Sequence, residues 1–149
     1  ADKTFITWDE YDDMVNKIAV YVKHISDEEI GAVYGLPRGG LPIAVSLSHS
    51  LGLPLLMDYY DRKVVTDKKI LVVDDIADTG HTLKDFENKN NIICTFHYHQ
   101  QSIVKPSFYC EEKGDKWIVY PWETRESEGV QDYLKSWGKF LVRLIYTNI

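Results

Sequence analysis

The segment Ile70-Leu71-Val72-Val73-Asp74-Asp75-Ile76-Ala77-Asp78-Thr79-Gly80-His81-Thr82 constrains the chain most. Four consecutive apolar residues read as a strand buried on both faces, the signature of a parallel sheet covered by helices. The run ends in two adjacent carboxylates and a loop containing one glycine and two threonines, which leads into a helix expected over residues 82–87. Such a loop can turn successive backbone N–H groups, with the hydroxyls of Thr79 and Thr82, toward a phosphate. Gly80 permits close backbone approach. The carboxylates beside it suit a sugar diol, a Mg²⁺ ion, or both. A phosphate cradle next to a diol or metal site describes a phosphorylated sugar.

The rest of the chain supports an α/β fold. Thr7-Trp8-Asp9-Glu10 is a capping box, with Ile6 and Tyr11 placed as a hydrophobic staple. Tyr11, Val15, Ile18 and Val22 recur on one face of a helix that ends near His24. Strands are expected over residues 32–34, 55–57, 92–96 and 117–120, and a further short one at Lys63-Val64-Val65. A second helix, over residues 42–51, is stopped by Gly52. Strands alternating with helices predict a mainly parallel twisted sheet with flanking helices. Ligands on such sheets sit at the carboxyl ends of the strands. That places residues 35–40, residues 74–82 and the stretch after Phe96 on one rim. With no repeat and no long linker, residues 1–149 read as a single domain. Within it, residues 126–149 form a C-terminal helical extension whose apolar stripe is Val130, Tyr133, Leu134, Trp137, Leu141, Leu144 and Ile145.

Charge and composition narrow the function. A net charge of −6 argues against nucleic-acid binding, which needs clustered Lys and Arg. No apolar run is long enough for a membrane span, and the first residues show no signal peptide. Two cysteines, Cys94 and Cys110, make no disulfide framework and are expected as core thiols, which points to the cytoplasm. Neither Gly-x-x-x-x-Gly-Lys nor Gly-x-Gly-x-x-Gly occurs.

The strand, acid pair and Asp78-Thr79-Gly80-His81-Thr82 resemble the phosphoribosyl pyrophosphate (PRPP) motif of type I phosphoribosyltransferases. Leu36-Pro37-Arg38-Gly39-Gly40 resembles the same family's pyrophosphate loop, in which the peptide before the basic residue is often cis; here that is Pro37–Arg38. Trp117-Ile118-Val119-Tyr120-Pro121-Trp122-Glu123 resembles the base-binding strand of the short xanthine–guanine and archaeal-type purine phosphoribosyltransferases. The resemblance spans residues 32–123. It implies transfer of the ribosyl 5-phosphate of PRPP to a purine base with release of pyrophosphate, in nucleotide salvage. It also implies a homo-oligomer, dimer or tetramer. PRPP would be held by Arg38, Gly39, Gly40, Asp74, Asp75, Ala77, Asp78, Thr79, Gly80, His81 and Thr82. Asp74 and Asp75 would hold Mg²⁺ and the ribose hydroxyls, and Asp78 would act on the base as proton acceptor. Arg38 would stabilise the leaving pyrophosphate, Trp117 would stack on the base, and the backbone of Ile118 would pair with its edge. Trp122 is expected to pack.

The sequence departs from the family in two places. Only residues 58–69 are available where the family has a long mobile lid, so the lid is short or absent. The family lysine that reads the 6-oxo group is replaced by His99, with Ser102 and Lys105-Pro106-Ser107-Phe108-Tyr109 matching the downstream pattern. Lys105 is the alternative base-reading residue. His97 and His99 alternate onto one strand face, a conceivable metal pair without a third ligand. These departures leave one rival, a non-catalytic protein of the same fold that binds PRPP or a nucleotide as a regulator. A receiver-type signalling domain ranks far behind, because its acid pair follows the first strand.

Overall fold

The computed structural model describes residues 2–26 and 29–126. The C-terminal stripe from Val130 to Ile145 lies outside these residues. In chain order the elements are β1 (Lys3–Phe5), α1 (Trp8–Ser26), β2 (Ile30–Gly35), α2 (Gly40–Leu51) and β3 (Leu55–Leu56). A 3₁₀ turn (Tyr59–Asp61), α3 (Arg62–Val65), β4 (Lys69–Ala77) and α4 (His81–Lys84) follow, then β5 (Asn91–Tyr98), β6 (Phe108–Glu112) and β7 (Trp117–Val119).

The capping box forms as expected. Glu10 N–H donates to Thr7 Oγ1 at 3.1 Å, and Thr7 N–H donates to Glu10 Oε1 at 3.2 Å. Ile6 and Tyr11 are both buried at the foot of the helix, completing the staple. Helix α1 then buries Met14, Val15, Ile18, Ala19 and Val22, one stripe of a 3.6-residue period. Helix α2 buries Ile43, Ala44 and Leu47 and ends at Gly52, whose φ of +66° lets its N–H return to Ser48 O.

The main sheet has the order β3-β2-β4-β5-β6, and every pairing in it is parallel. Its centre is β4, where residues 70–73 are almost wholly buried. Period-two alternation sends Leu71 and Val73 into the core with α1 and α2, while Ile70 and Val72 join Leu36, Leu83 and Val104 on the opposite face. Because Gly35 pairs with Val73 and Val73 with Cys94, the loops after β2, β4 and β5 emerge side by side.

Four local expectations change. Lys63-Val64-Val65 is helical, not a strand: Asp58 accepts the N–H of Tyr60 and starts a turn, and Val64 is 91% exposed with no sheet partner. Local turn chemistry outweighs the β-propensity of two valines. The helix expected over residues 82–87 stops at Lys84. Phe86 and Glu87 make three-residue turn bonds to Leu83 and Lys84, while the Phe86 ring packs edge-on against Tyr59 at 5.0 Å. Strand β7 leaves the main sheet to pair in parallel with β1, an element too short to read from its sequence. Strand β6, an edge strand ending in the exposed Glu111 and Glu112, was also not expected.

Candidate active site

Strand β4 runs to Ala77, so Asp74 and Asp75 lie inside the strand, with Asp74 in register with Thr95 of β5. Each carboxylate is turned back on the chain. Asp75 N–H donates to Asp74 Oδ1 at 2.8 Å, and Ile76 N–H donates to Asp75 Oδ1 at 2.8 Å. The loop after β2 packs on this end of β4: Leu36 N–H donates to Val73 O at 3.0 Å. A Cβ on Gly39 would overlap the Asp75 carboxylate, so a side chain here would displace either the loop or that carboxylate. Gly40 is buried against Val73 and Asp74. The Pro37–Arg38 peptide is cis, and Arg38 is exposed at the tip of the loop.

On the other side of the acid pair, residues 78–82 turn into α4 through Gly80 at φ +85°. The loop is pinned from the β5 side, where Ile103 N–H donates to Thr79 O at 2.8 Å. His81 N–H reaches Thr79 Oγ1 at 3.4 Å, and His81 and Thr82 are exposed. Ala77 is buried, and its carbonyl accepts the N–H of His99 at 2.9 Å.

Three nitrogen groups converge on Asp78. Gln101 Nε2 lies 3.0 Å from its Oδ1, Lys113 Nζ 3.7 Å and His99 Nδ1 3.8 Å. The Lys113 ammonium also lies over the Trp117 ring, 5.4 Å from its centroid. Trp117 Nε1 and His99 Nδ1 are buried atoms without a hydrogen-bond partner among the described residues. Strand β7 uses Trp117 N–H and Val119 O to bond β1, through Asp2 O and Ile6 N–H. By the alternation of a strand, the N–H and C=O of Ile118 point the other way. Lys105 is exposed. The site residues that sequence reasoning missed are Lys113 and Gln101. The only hint of Lys113 was its position in the turn Lys113-Gly114-Asp115, four residues before Trp117.

A second layer supports the acid pair. The hydroxyl of Tyr120 donates to Asp75 O at 3.1 Å and lies 2.8 Å from His97 Nδ1. That hydroxyl has one proton, so His97 donates from Nδ1 whenever Tyr120 donates to Asp75. Burial, reinforced by the carboxylates of Asp75, Asp74 and Glu123, pushes Tyr120 well above its ordinary value. Burial pulls His97 down, against the opposing pull of Glu111. Glu111 Oε2 is 3.6 Å from His97 Nε2 but 59% exposed, so water weakens its hold and burial wins. His97 therefore faces Tyr120 and Glu111, whereas His99 faces Asp78; the described residues hold no cluster of three metal-binding side chains. Trp122 stacks on Tyr120 at 5.0 Å and meets Tyr11 edge-on, a packing role. Cys94 is buried and raised by desolvation, and Cys110 is pushed up to about 12, so both are inert thiols.

No protein-family model matches the chain. Solved structures do. A purine phosphoribosyltransferase from Pyrococcus horikoshii is 28% identical and superposes with a TM-score of 0.69, covering 87% of this chain and 100% of its own. The xanthine-guanine-hypoxanthine phosphoribosyltransferase of Helicobacter pylori gives 0.67 at 18% identity, covering 90% and 99%. A hypothetical protein from Neisseria gonorrhoeae with bound ppGpp gives 0.65 at 19%, covering 84% and 91%. The chain has the type I phosphoribosyltransferase fold.

Proposed function

We propose that the protein is a purine phosphoribosyltransferase that moves the ribosyl 5-phosphate of PRPP to an oxopurine (xanthine, guanine or hypoxanthine) and releases pyrophosphate. The observation that carries this reading is the acid pair within β4, with the Gly39 loop against one side and the loop of residues 78–82 following on the other. The likeness to the Pyrococcus enzyme supports it.

On this reading Asp74 and Asp75 hold the ribose hydroxyls and a Mg²⁺ ion. Their oxygen donors suit that ion, which is commonly bound by one or two carboxylates together with substrate oxygens and water. When bound, Mg²⁺ supplies charge to neutralise the departing pyrophosphate. Residues 78–82 cradle the 5-phosphate with backbone N–H groups and threonine hydroxyls. Arg38 and the amide of Gly39 meet the pyrophosphate, whereas the Gly40 N–H donates to Leu36 O at 2.8 Å and only shapes the loop. Cleavage of the glycosidic bond builds oxocarbenium character at the sugar, as in glycoside chemistry. Asp78 takes the proton from the attacking base, which rests on Trp117 with its edge toward Ile118. The reaction belongs to cytoplasmic nucleotide salvage, in a homo-oligomer whose neighbouring subunit covers the site where the segment after β3 is too short to act as a lid.

The test is thermal. With Mg²⁺ and PRPP at a hundredfold excess over Kd, the protein gains about 2.7 kcal/mol. Asp74→Asn with Asp75→Asn removes most of that gain. No shift at millimolar PRPP would refute the reading. The short segment after β3, folded into a 3₁₀ turn and α3, favours one rival, a PRPP- or nucleotide-binding regulator without catalysis. Pyrophosphate release with a panel of purines separates the two: binding without release selects the regulator.

A further inference from the structure

Lys113 stands between Asp78 and Trp117, and its placement is specific. Its backbone N–H donates to Tyr98 O at 2.8 Å, which roots it on the carboxyl end of β5 beside His99. The turn that carries it continues through Gly114 at φ +63°. The side chain is 13% exposed, a degree of burial that lysine reaches mainly when its charge is paired. Here the pairing is double: Asp78 Oδ1 at 3.7 Å and the face of Trp117 at 5.4 Å.

Any flat ligand stacking on that face has to move the ammonium off the ring. The same movement weakens its hold on Asp78. The site therefore admits a ligand at the cost of an ion pair and a cation–π contact, and the ligand must give something back. Two further features of this wall state what that is. Trp117 Nε1, which can only donate, and His99 Nδ1, 3.8 Å from Asp78 Oδ1, are both buried without a hydrogen-bond partner among the described residues. A wall with an ammonium and an unpartnered indole N–H calls for hydrogen-bond acceptors.

We propose that Lys113 is a specificity-determining gate: it covers the Trp117 platform in the empty site and yields to a purine whose exocyclic oxygen accepts its ammonium. A 6-aminopurine presents a donor at that edge and leaves the displaced charge unpaired. A 6-oxopurine restores a charge-assisted bond and leaves Asp78 released to meet the ring N–H. Discrimination arises from a site group left unsatisfied by the wrong ligand, the strong form of polar selectivity. This inference rests on the phosphoribosyltransferase reading of the site.

The experiment titrates the product nucleotides IMP and AMP into wild type, Lys113→Met and Lys113→Arg by calorimetry. PRPP with Mg²⁺ serves as a parallel thermal-shift probe. Wild type should prefer IMP. Losing one charge-assisted bond corresponds to roughly 10- to 100-fold in affinity, so Lys113→Met should weaken IMP by that factor. AMP should hold or tighten, and Lys113→Arg should keep part of the preference. The PRPP shift is the control for an intact phosphate site, and Lys113→Arg, which keeps a cation beside Asp78, should retain it. Lys113→Gln gives the same comparison if the methionine variant loses that shift. An unchanged IMP-to-AMP ratio in the substituted proteins, or a wild-type preference for AMP, alongside an intact PRPP shift, overturns this inference alone. Absence of the PRPP shift in wild type overturns the phosphoribosyltransferase reading and this inference with it.

Discussion

Gly80 shows how much one position carries. Its φ of +85° is a conformation that costs an L-residue about 1–2 kcal/mol. A Cβ there would also lie 2.8 Å from the backbone nitrogen of Val104 and 2.5 Å from Ser102 Oγ. Gly52, at φ +66°, has nothing within 4 Å of the same atom. The pair separates conformation from collision. Gly52→Ala should lower stability by about 1 kcal/mol, the conformational cost alone. Gly80→Ala should cost at least about 2 kcal/mol, because overpacking adds to it. It should also weaken PRPP binding, since the phosphate loop must move off residues 102–104. Urea unfolding midpoints measure the first effect and PRPP thermal shifts the second. Equal losses for the two glycines would show that the loop absorbs a methyl group without moving.

Among the elements, α1 is the one whose start is written most plainly in the sequence. Thr7→Ala removes the Oγ1 that accepts Glu10 N–H at an exposed helix end, and should cost about 1 kcal/mol by chemical denaturation. A loss well below about 0.5 kcal/mol would show that the Ile6–Tyr11 staple alone sets the helix start. Elements with an internal signal were legible in this way: the capping box of α1, the glycine after α2, and the apolar runs of β4 and β5. So were the neighbouring loops on the carboxyl rim, because parallel strands put them there regardless of detail. The elements that were not legible owe their form to distant partners. Strand β1 has three residues and is a strand because β7 lies beside it. Lys63-Val64-Val65 has strand-like residues and no edge to join. Lys113 carries no motif, and the fold alone brings it to Asp78 from 35 positions away in the chain. His99 lies 3.8 Å from Asp78 just past β5, and Lys105 is exposed.

At the scale of the whole molecule, the acid pair is tied to the far edge of the fold through one network, buried at Tyr120 and His97 and open to solvent at Glu111. Tyr120, just past β7, bonds Asp75 O on β4 and His97 on β5, and His97 faces Glu111 on β6. The charges that act on His97 are Glu111, Asp75 and Glu10, all carboxylates that favour its protonation, yet burial dominates and its pKa is lowered. The sign of the consequence is fixed. The unfolded chain takes up a proton at this histidine as pH falls through about 6.5, the ordinary value, and the folded chain does so only at lower pH. Between those values the unfolded state binds more protons, so the histidine's contribution is fully present above about pH 6.5 and declines as pH falls below it. One proton bounds the loss at about 2 kcal/mol at pH 5. His97→Gln keeps a group able to bond Tyr120 and removes the titration, so its stability should fall less between pH 7 and pH 5 than that of wild type. Glu111→Gln removes an opposing charge and should steepen the fall. Exposed carboxylates titrate alike in wild type and in His97→Gln, so the difference between their urea profiles isolates this group. A His97→Gln profile parallel to wild type from pH 7 to pH 5 would mean that the folded protein protonates His97 as readily as the unfolded chain, with Glu111 prevailing over burial.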